Sequence, residues 1–146
     1  KRLQKFINEE PFMLTYGDGV ANINIRQLLE FHMKNKKIIT VTAVRPIARF
    51  GELIIEDGLV RNFKEKPQIS QGWVSGGFFV CEPEVFDFIE NDQTIFEKDP
   101  LEDICKINQL AAFKHDDFWQ CMDTKRDKKI LDDLWKQNKA YWSNNW

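Results

Sequence analysis

Nowhere in the 146 residues is there an apolar run near the ~20 residues that a membrane-spanning helix needs. The charged opening KRLQKFINEE also lacks the apolar stretch of a secretory leader. A cytoplasmic protein with no membrane partner is the expectation. Charge of one sign is missing too: 21 Lys plus Arg against 23 Asp plus Glu leave a formal charge of −2, scattered along the chain. That excludes a general electrostatic grip on nucleic acid, so any anionic ligand must be held locally. Cysteine is scarce. Cys81, Cys105 and Cys121 show no C-x-x-C spacing, which argues against a disulfide framework or a structural zinc site and leaves three small buried apolar residues. The two histidines, His32 and His115, stand apart from each other and read as a helix-face and a loop residue rather than as bases. Ser75 has no His/Asp pattern around it, so a nucleophilic serine is not expected. There is no internal repeat, low-complexity tract or linker, and the length suits one core.

What is present is an alternation of helical and strand periods. Leu3, Phe6 and Ile7 are spaced as in a helix, and Phe12–Tyr16 is a short apolar run, read as a buried strand, stopped by Gly17-Asp18-Gly19. Ile25, Leu28, Leu29, Phe31 and His32 trace one face of a helix from Asn24 to Lys36, with Asn24 as its cap. The β-branched run Ile38–Val44 has the composition of a parallel strand covered on both faces. Glu52–Glu56 and Leu59–Lys64 flank Asp57-Gly58, a two-residue hairpin signal. Residues 68–72 read as a loop and Trp73–Cys81 as a strand interrupted by two glycines. Helices are expected from Pro83 to Asn91, Glu97 to Gln109 and Thr124 to Ala140, and strands at Leu110–Lys114 and Phe118–Met122. The final YWSNNW has no period and reads as a tail or an oligomer contact. The pattern predicts an α/β protein with a mixed sheet and helices on both sides.

Four places carry residues with chemistry. In Tyr16-Gly17-Asp18-Gly19 a strand delivers one carboxylate between two glycines, where it can reach a hard cation such as Mg²⁺. A simple turn gives the same pattern. Glu65-Lys66-Pro67 sets an acceptor for sugar hydroxyls beside a point charge for phosphate; a solvated strand edge would look alike. Gly76-Gly77 lies inside the aromatic strand VSGGFFV, leaving room for a flat ring against the backbone or marking a bulge. Asp123, after FWQCM and before a helix, is either a second ligand of the same cation or an ordinary cap.

Taken in order, YGDG, RFGEL, FKEKP, VSGGFFV and FWQCMDT resemble the sugar-1-phosphate nucleotidylyltransferases, most closely the branch that acts on glucose 1-phosphate with CTP, over essentially the whole chain. The resemblance implies a Rossmann-like nucleotidyltransferase fold with a mixed, mostly parallel sheet. It also implies Mg²⁺ held by Asp18 and Asp123, substrate contact at the Gly17 backbone, sugar hydroxyls on Glu65 and the sugar phosphate on Lys66. Gly76 and Gly77 would lie against the glucose, and Arg49-Phe50-Gly51 resembles a loop beside it. The activity implied is cytidylyl transfer from CTP to glucose 1-phosphate, giving CDP-glucose for surface polysaccharides, by a homo-oligomer in which Trp142 and Trp146 take part. Asp18, Lys66 and Asp123 would carry the catalysis.

Two departures qualify this. The family's opening G-G-x-G-T-R-L segment and following K-P pair, which cradle the triphosphate, are absent. Residues 1–146 therefore read as the C-terminal part of one nucleotidyltransferase domain, the metal and sugar-phosphate half. The chain opens on Lys1 rather than Met, so upstream sequence is expected, and this stretch alone should be inactive. A non-catalytic sugar-phosphate-binding or assembly fragment, or a sister enzyme using UTP or dTTP, is the alternative. Ser75 also stands where the branch has Asn, which bears on sugar identity. A metal-dependent glycosyltransferase fits less well, because Gly17-Asp18-Gly19 has no D-x-D pair.

Overall fold

A run that is β-branched nearly throughout should become the middle of a sheet, and it does. The computed structural model describes residues 1–47, 51–65 and 72–143. Its larger sheet has four strands: β1 (Phe12–Thr15), β3 (Ile39–Val44), β6 (Val74–Cys81) and β7 (Leu110–His115), in the order β1-β6-β3-β7. Two smaller antiparallel pairs accompany it. One is the ladder of β2 (Gly19–Ala21) with β8 (Trp119–Cys121), and the other is the ribbon of β4 (Glu52–Glu56) with β5 (Leu59–Lys64). The helices are α1 (Ile25–Asn35), α2 (Asp99–Lys106) and α3 (Lys125–Lys136), with 3₁₀ turns at Arg2–Phe6, Pro83–Phe88 and Tyr141–Ser143.

The expected mixed α/β sheet is present, with one qualification to its direction. Among the described residues β3 and β7 run parallel, while β6 runs antiparallel to both β1 and β3. The parallel share among the described strands of this sheet is thus one pairing in three.

Side-chain alternation along β6 builds the two apolar layers. Phe79 and Cys81 join Ile39, Val85, Phe86 and Ile104 on one face, beneath α2 and the Pro83–Phe88 turn. Phe78 and Val80 meet Ile23 and Leu28 on the other, beneath α1. Burying each such side chain contributes roughly 1.5–3 kcal/mol, so helices cover both faces, as expected. β1 is an edge strand, with Met13 and Thr15 exposed and Phe12 and Leu14 partly buried, rather than the buried strand that its apolar run suggested. It has β6 on one side only among the described residues.

Local chemistry sets the element ends. Asn24 Oδ1 accepts from the Gln27 N–H at 3.0 Å and caps α1, which ends at Lys36 in the left-handed region. Thr124 and Asp127 form a reciprocal capping box that starts α3. Asp57 and Gly58 both have positive φ, 50° and 76°, the geometry of a type I′ hairpin turn. Register places Leu53, Ile55, Val60 and Phe63 on one face of the ribbon, and all four are exposed. The expected helices after Pro83 and Glu97 are shorter than their periods suggested, ending at Phe88 and Lys106. Of the cysteines only Cys81 is buried; burial, then the Glu82 charge, push its thiol up to about 12, and Cys105 is exposed.

His32 is a core bolt. It is fully buried, with Nδ1 2.9 Å from Thr40 Oγ1 and Nε2 3.1 Å from Glu82 Oε1, joining α1 to β3 and to the end of β6. A carboxylate can only accept, so Nε2–H donates to Glu82, while Nδ1 pairs with the threonine hydroxyl. Thr40→Val keeps the shape but leaves Nδ1 unpaired in the core. We expect it to cost about 1–2 kcal/mol, read as a lower urea midpoint at unchanged m.

Candidate active site

Because β6 is antiparallel to both of its neighbours, β1, β3 and β7 all run the same way, and their carboxyl ends share one edge of the sheet. Open α/β sheets bind ligands at such an edge. Gly17 and Asp18 follow β1 there, and β6 begins there with Val74-Ser75-Gly76-Gly77.

β2 and β8 bring together the two segments that carry Asp18 and Asp123. Gly19 pairs with Cys121, and the ladder continues one step further, where the Met122 N–H donates to the Asp18 carbonyl at 2.7 Å. Asp18 therefore lies just before β2, opposite Met122, and Asp123 follows Met122 beyond β8, so acids far apart in sequence sit on paired segments. Both are exposed. The Cys121 thiol donates to Asp123 Oδ2 at 3.5 Å; burial, then this carboxylate, raise the thiol above its ordinary range and keep it protonated. The alternative role of Asp123 as a helix cap does not hold, since Thr124 takes that position.

The glycines of β6 sit at an irregularity. Val41 pairs with Phe79 but Ala43 with Ser75, so β6 carries extra residues there and Gly76-Gly77 form a bulge. The space a side chain would take is filled by protein. A Cβ on Gly76 would lie 2.8 Å from Val44 Cγ1 and 3.2 Å from the Thr42 carbonyl, and one on Gly77 would lie 2.9 Å from Tyr16 Cδ2. Packing thus demands both glycines, and what they can offer a ligand is backbone. Gly77 has φ of 77°, which a side chain would strain.

Tyr16 and Trp119 are the residues that the motif reading passed over. The Tyr16 N–H donates to the Gly77 carbonyl at 2.9 Å, and its ring packs 5.5 Å from that of Phe79. Burial, and then Glu97, raise the Tyr16 hydroxyl well above its usual range, so it stays protonated. Trp119 Nε1 donates to the Gly76 carbonyl at 2.8 Å. An aromatic residue in each acid-bearing motif was the available signal.

Glu65 is exposed at the end of the ribbon, close to Gly51, the residue before β4. A Cβ on Gly51 would come 3.4 Å from Glu65 Oε2 and 2.8 Å from the Phe63 ring. Lys66, Arg49, Phe50 and Trp146 lie outside the described residues. Neither histidine joins the site: His32 is in the core, and His115 Nε2 is 3.1 Å from the Phe118 carbonyl. Trp142 stacks on Phe118 at 5.5 Å within this chain.

Two exposed carboxylates with oxygen donors only suit a hard divalent cation that completes its shell with water and phosphate oxygens. Among the described residues no group of three or more His, Cys, Asp or Glu forms a closed metal cage, and no helix is long and apolar enough to cross a membrane.

The nucleotidyl transferase family matches residues 1–144. Glucose-1-phosphate cytidylyltransferase of Salmonella typhi is 46% identical over 143 residues, covering 97% of this chain and 56% of that protein. The catalytic subunit beta of mannose-1-phosphate guanylyltransferase of Drosophila melanogaster is 30% identical over 128 residues, or 85% of this chain and 34% of that one. In fold, the crystal structure of HddC from Yersinia pseudotuberculosis superposes with a TM-score of 0.66 at 18% identity, over 92% of this chain and 59% of its own. The chain spans about half the length of the curated cytidylyltransferases it matches. Matched almost from end to end by this family's model, the chain belongs to the nucleotidyl transferases.

Proposed function

We propose that this chain is the metal- and sugar-phosphate-binding half of an enzyme that transfers cytidylate from CTP to glucose 1-phosphate, giving CDP-glucose and pyrophosphate. The observation that carries the reading is the β2–β8 ladder, which pairs the segment that carries Asp18 with the segment that runs into Asp123 at the ligand edge of the sheet. The 46% identity to a glucose-1-phosphate cytidylyltransferase supports the choice of substrates.

An oxygen of the sugar phosphate attacks the α-phosphorus, a new P–O bond forms, and the α–β anhydride bond breaks with pyrophosphate leaving. The attacking group is already an anion, so no protein nucleophile or base is required, and the task of the protein is to position two anions and neutralise their charge. Asp18 and Asp123 would hold Mg²⁺, which when bound supplies positive charge at the α-phosphate. Lys66 is assigned to the sugar phosphate and Glu65 to sugar hydroxyls. Gly17 and the double glycine present backbone to the substrates. The reaction is placed in the cytoplasm, in a homo-oligomer, and the exposed apolar face of the ribbon is available for self-association.

The test is pyrophosphate release by the full-length enzyme, with CTP, UTP, dTTP and GTP each offered against glucose 1-phosphate and mannose 1-phosphate. We expect CTP with glucose 1-phosphate to be fastest and to require Mg²⁺. No release with any pair rejects nucleotidyl transfer. A faster rate with another nucleotide or sugar moves the chain to a sister activity.

A further inference from the structure

We infer that Trp119 is a positioning residue, which fixes the acid pair at one spacing from the glycine bulge of β6; the inference rests on the function proposed above.

Two consecutive carbonyls of that bulge are each held by one of the acid-bearing arms. The Gly77 carbonyl accepts from the Tyr16 N–H at 2.9 Å, on the segment that runs directly into Asp18. The Gly76 carbonyl accepts from Trp119 Nε1 at 2.8 Å, on the strand that runs into Asp123. β2 and β8 pair with each other and, among the described residues, with no strand of the four-stranded sheet. The Asp18 arm is tied to β6 through the Tyr16 backbone, and on the Asp123 arm the bond to β6 comes from the Trp119 side chain.

Trp119 suits that task. An indole is rigid about two torsions, and its N–H can only donate. The ladder side is in contact as well: a Cβ on Gly19, next to Asp18, would lie 3.7 Å from both Gly76 O and Trp119 Nε1, at ordinary van der Waals distance. Gly19, Gly76 and Trp119 thus meet at one point between the two halves of the site. In-line transfer tolerates little misplacement, and ~1 Å can cost ~10²-fold. A bond that sets the separation of acid pair and sugar-facing strand therefore governs how well glucose 1-phosphate is held for attack.

Trp119→Phe in the full-length enzyme retains the ring and removes the donor. We expect KM for glucose 1-phosphate to rise about tenfold while KM for CTP stays within about twofold, since the bond orders the sugar side. A purely structural role would lower the active fraction and leave both KM values unchanged, and that result overturns the inference. A second readout needs neither the variant nor metal. The Trp119 indole N–H resonance of the wild type, identified by its nuclear Overhauser effect to the Gly76 α-protons, should shift on titration with glucose 1-phosphate alone. No shift overturns the inference even if the variant fails to fold. Wild-type enzyme that releases no pyrophosphate from CTP and glucose 1-phosphate defeats the proposed function instead, whatever the indole does.

Discussion

Asp18→Ala or Asp123→Ala in the full-length enzyme should lower turnover about 100-fold or more, the scale of losing one electrostatic donor at a reacting centre. The two acids sit on one ladder and would share one ion, so the double variant should be little worse than the poorer single one. Stability should move the other way or not at all. Both carboxylates are exposed, and surface substitutions away from packed groups usually stay within about 0.5 kcal/mol. Turnover by pyrophosphate release and melting by circular dichroism should therefore diverge sharply. Near-normal turnover of both single variants at limiting Mg²⁺ would remove the acids from the chemistry.

Gly77→Ala should have the largest effect on stability, and Gly58→Ala is its natural control. The two glycines have nearly the same φ, 77° and 76°. Forcing an L-residue into that region costs roughly 1–2 kcal/mol. At Gly58 nothing lies within 4 Å of the added carbon, so that strain is the whole cost. At Gly77 the same carbon would stand 2.9 Å from Tyr16 Cδ2 and 3.4 Å from its Cβ and Cγ. Tyr16 has little room to retreat, since its own N–H holds the Gly77 carbonyl and its ring packs on Phe79. Overpacking of this kind adds about 1–3 kcal/mol. We expect Gly77→Ala to cost about 3 kcal/mol and Gly58→Ala about 1 kcal/mol, compared by denaturant unfolding. Equal costs would show that Tyr16 yields freely.

What could be read from the sequence was what local chemistry encodes. Asn24 and Thr124 announce helix starts, Asp57-Gly58 announces a hairpin, and the β-branched run to Val44 announces a central strand, because each depends on neighbours a few residues away. The candidate acids were legible as motifs, but the pairing of their segments was not. β2 is three residues long and opens on a glycine, so it reads as loop until β8 arrives to pair with it. The glycines were open to two readings, room for a flat ring or a bulge, and the bulge is what forms. Absent side chains suggested open space, whereas Val44, Tyr16 and Trp119 come from three distant segments to occupy it. The edge position of β1 was hidden for a similar reason, since a short apolar run does not state how many neighbours it has. Lys66 belongs to the motif reading alone.

β6 is hydrogen-bonded along both sides, contributes to the apolar layers above and below it, and starts in the glycine bulge of the candidate site. A strand with those three duties cannot loosen by itself: releasing it would separate both layers and the ligand edge in one cooperative event. Heat damage to this protein accordingly has no mild first stage in which the scaffold survives while the bulge alone is lost.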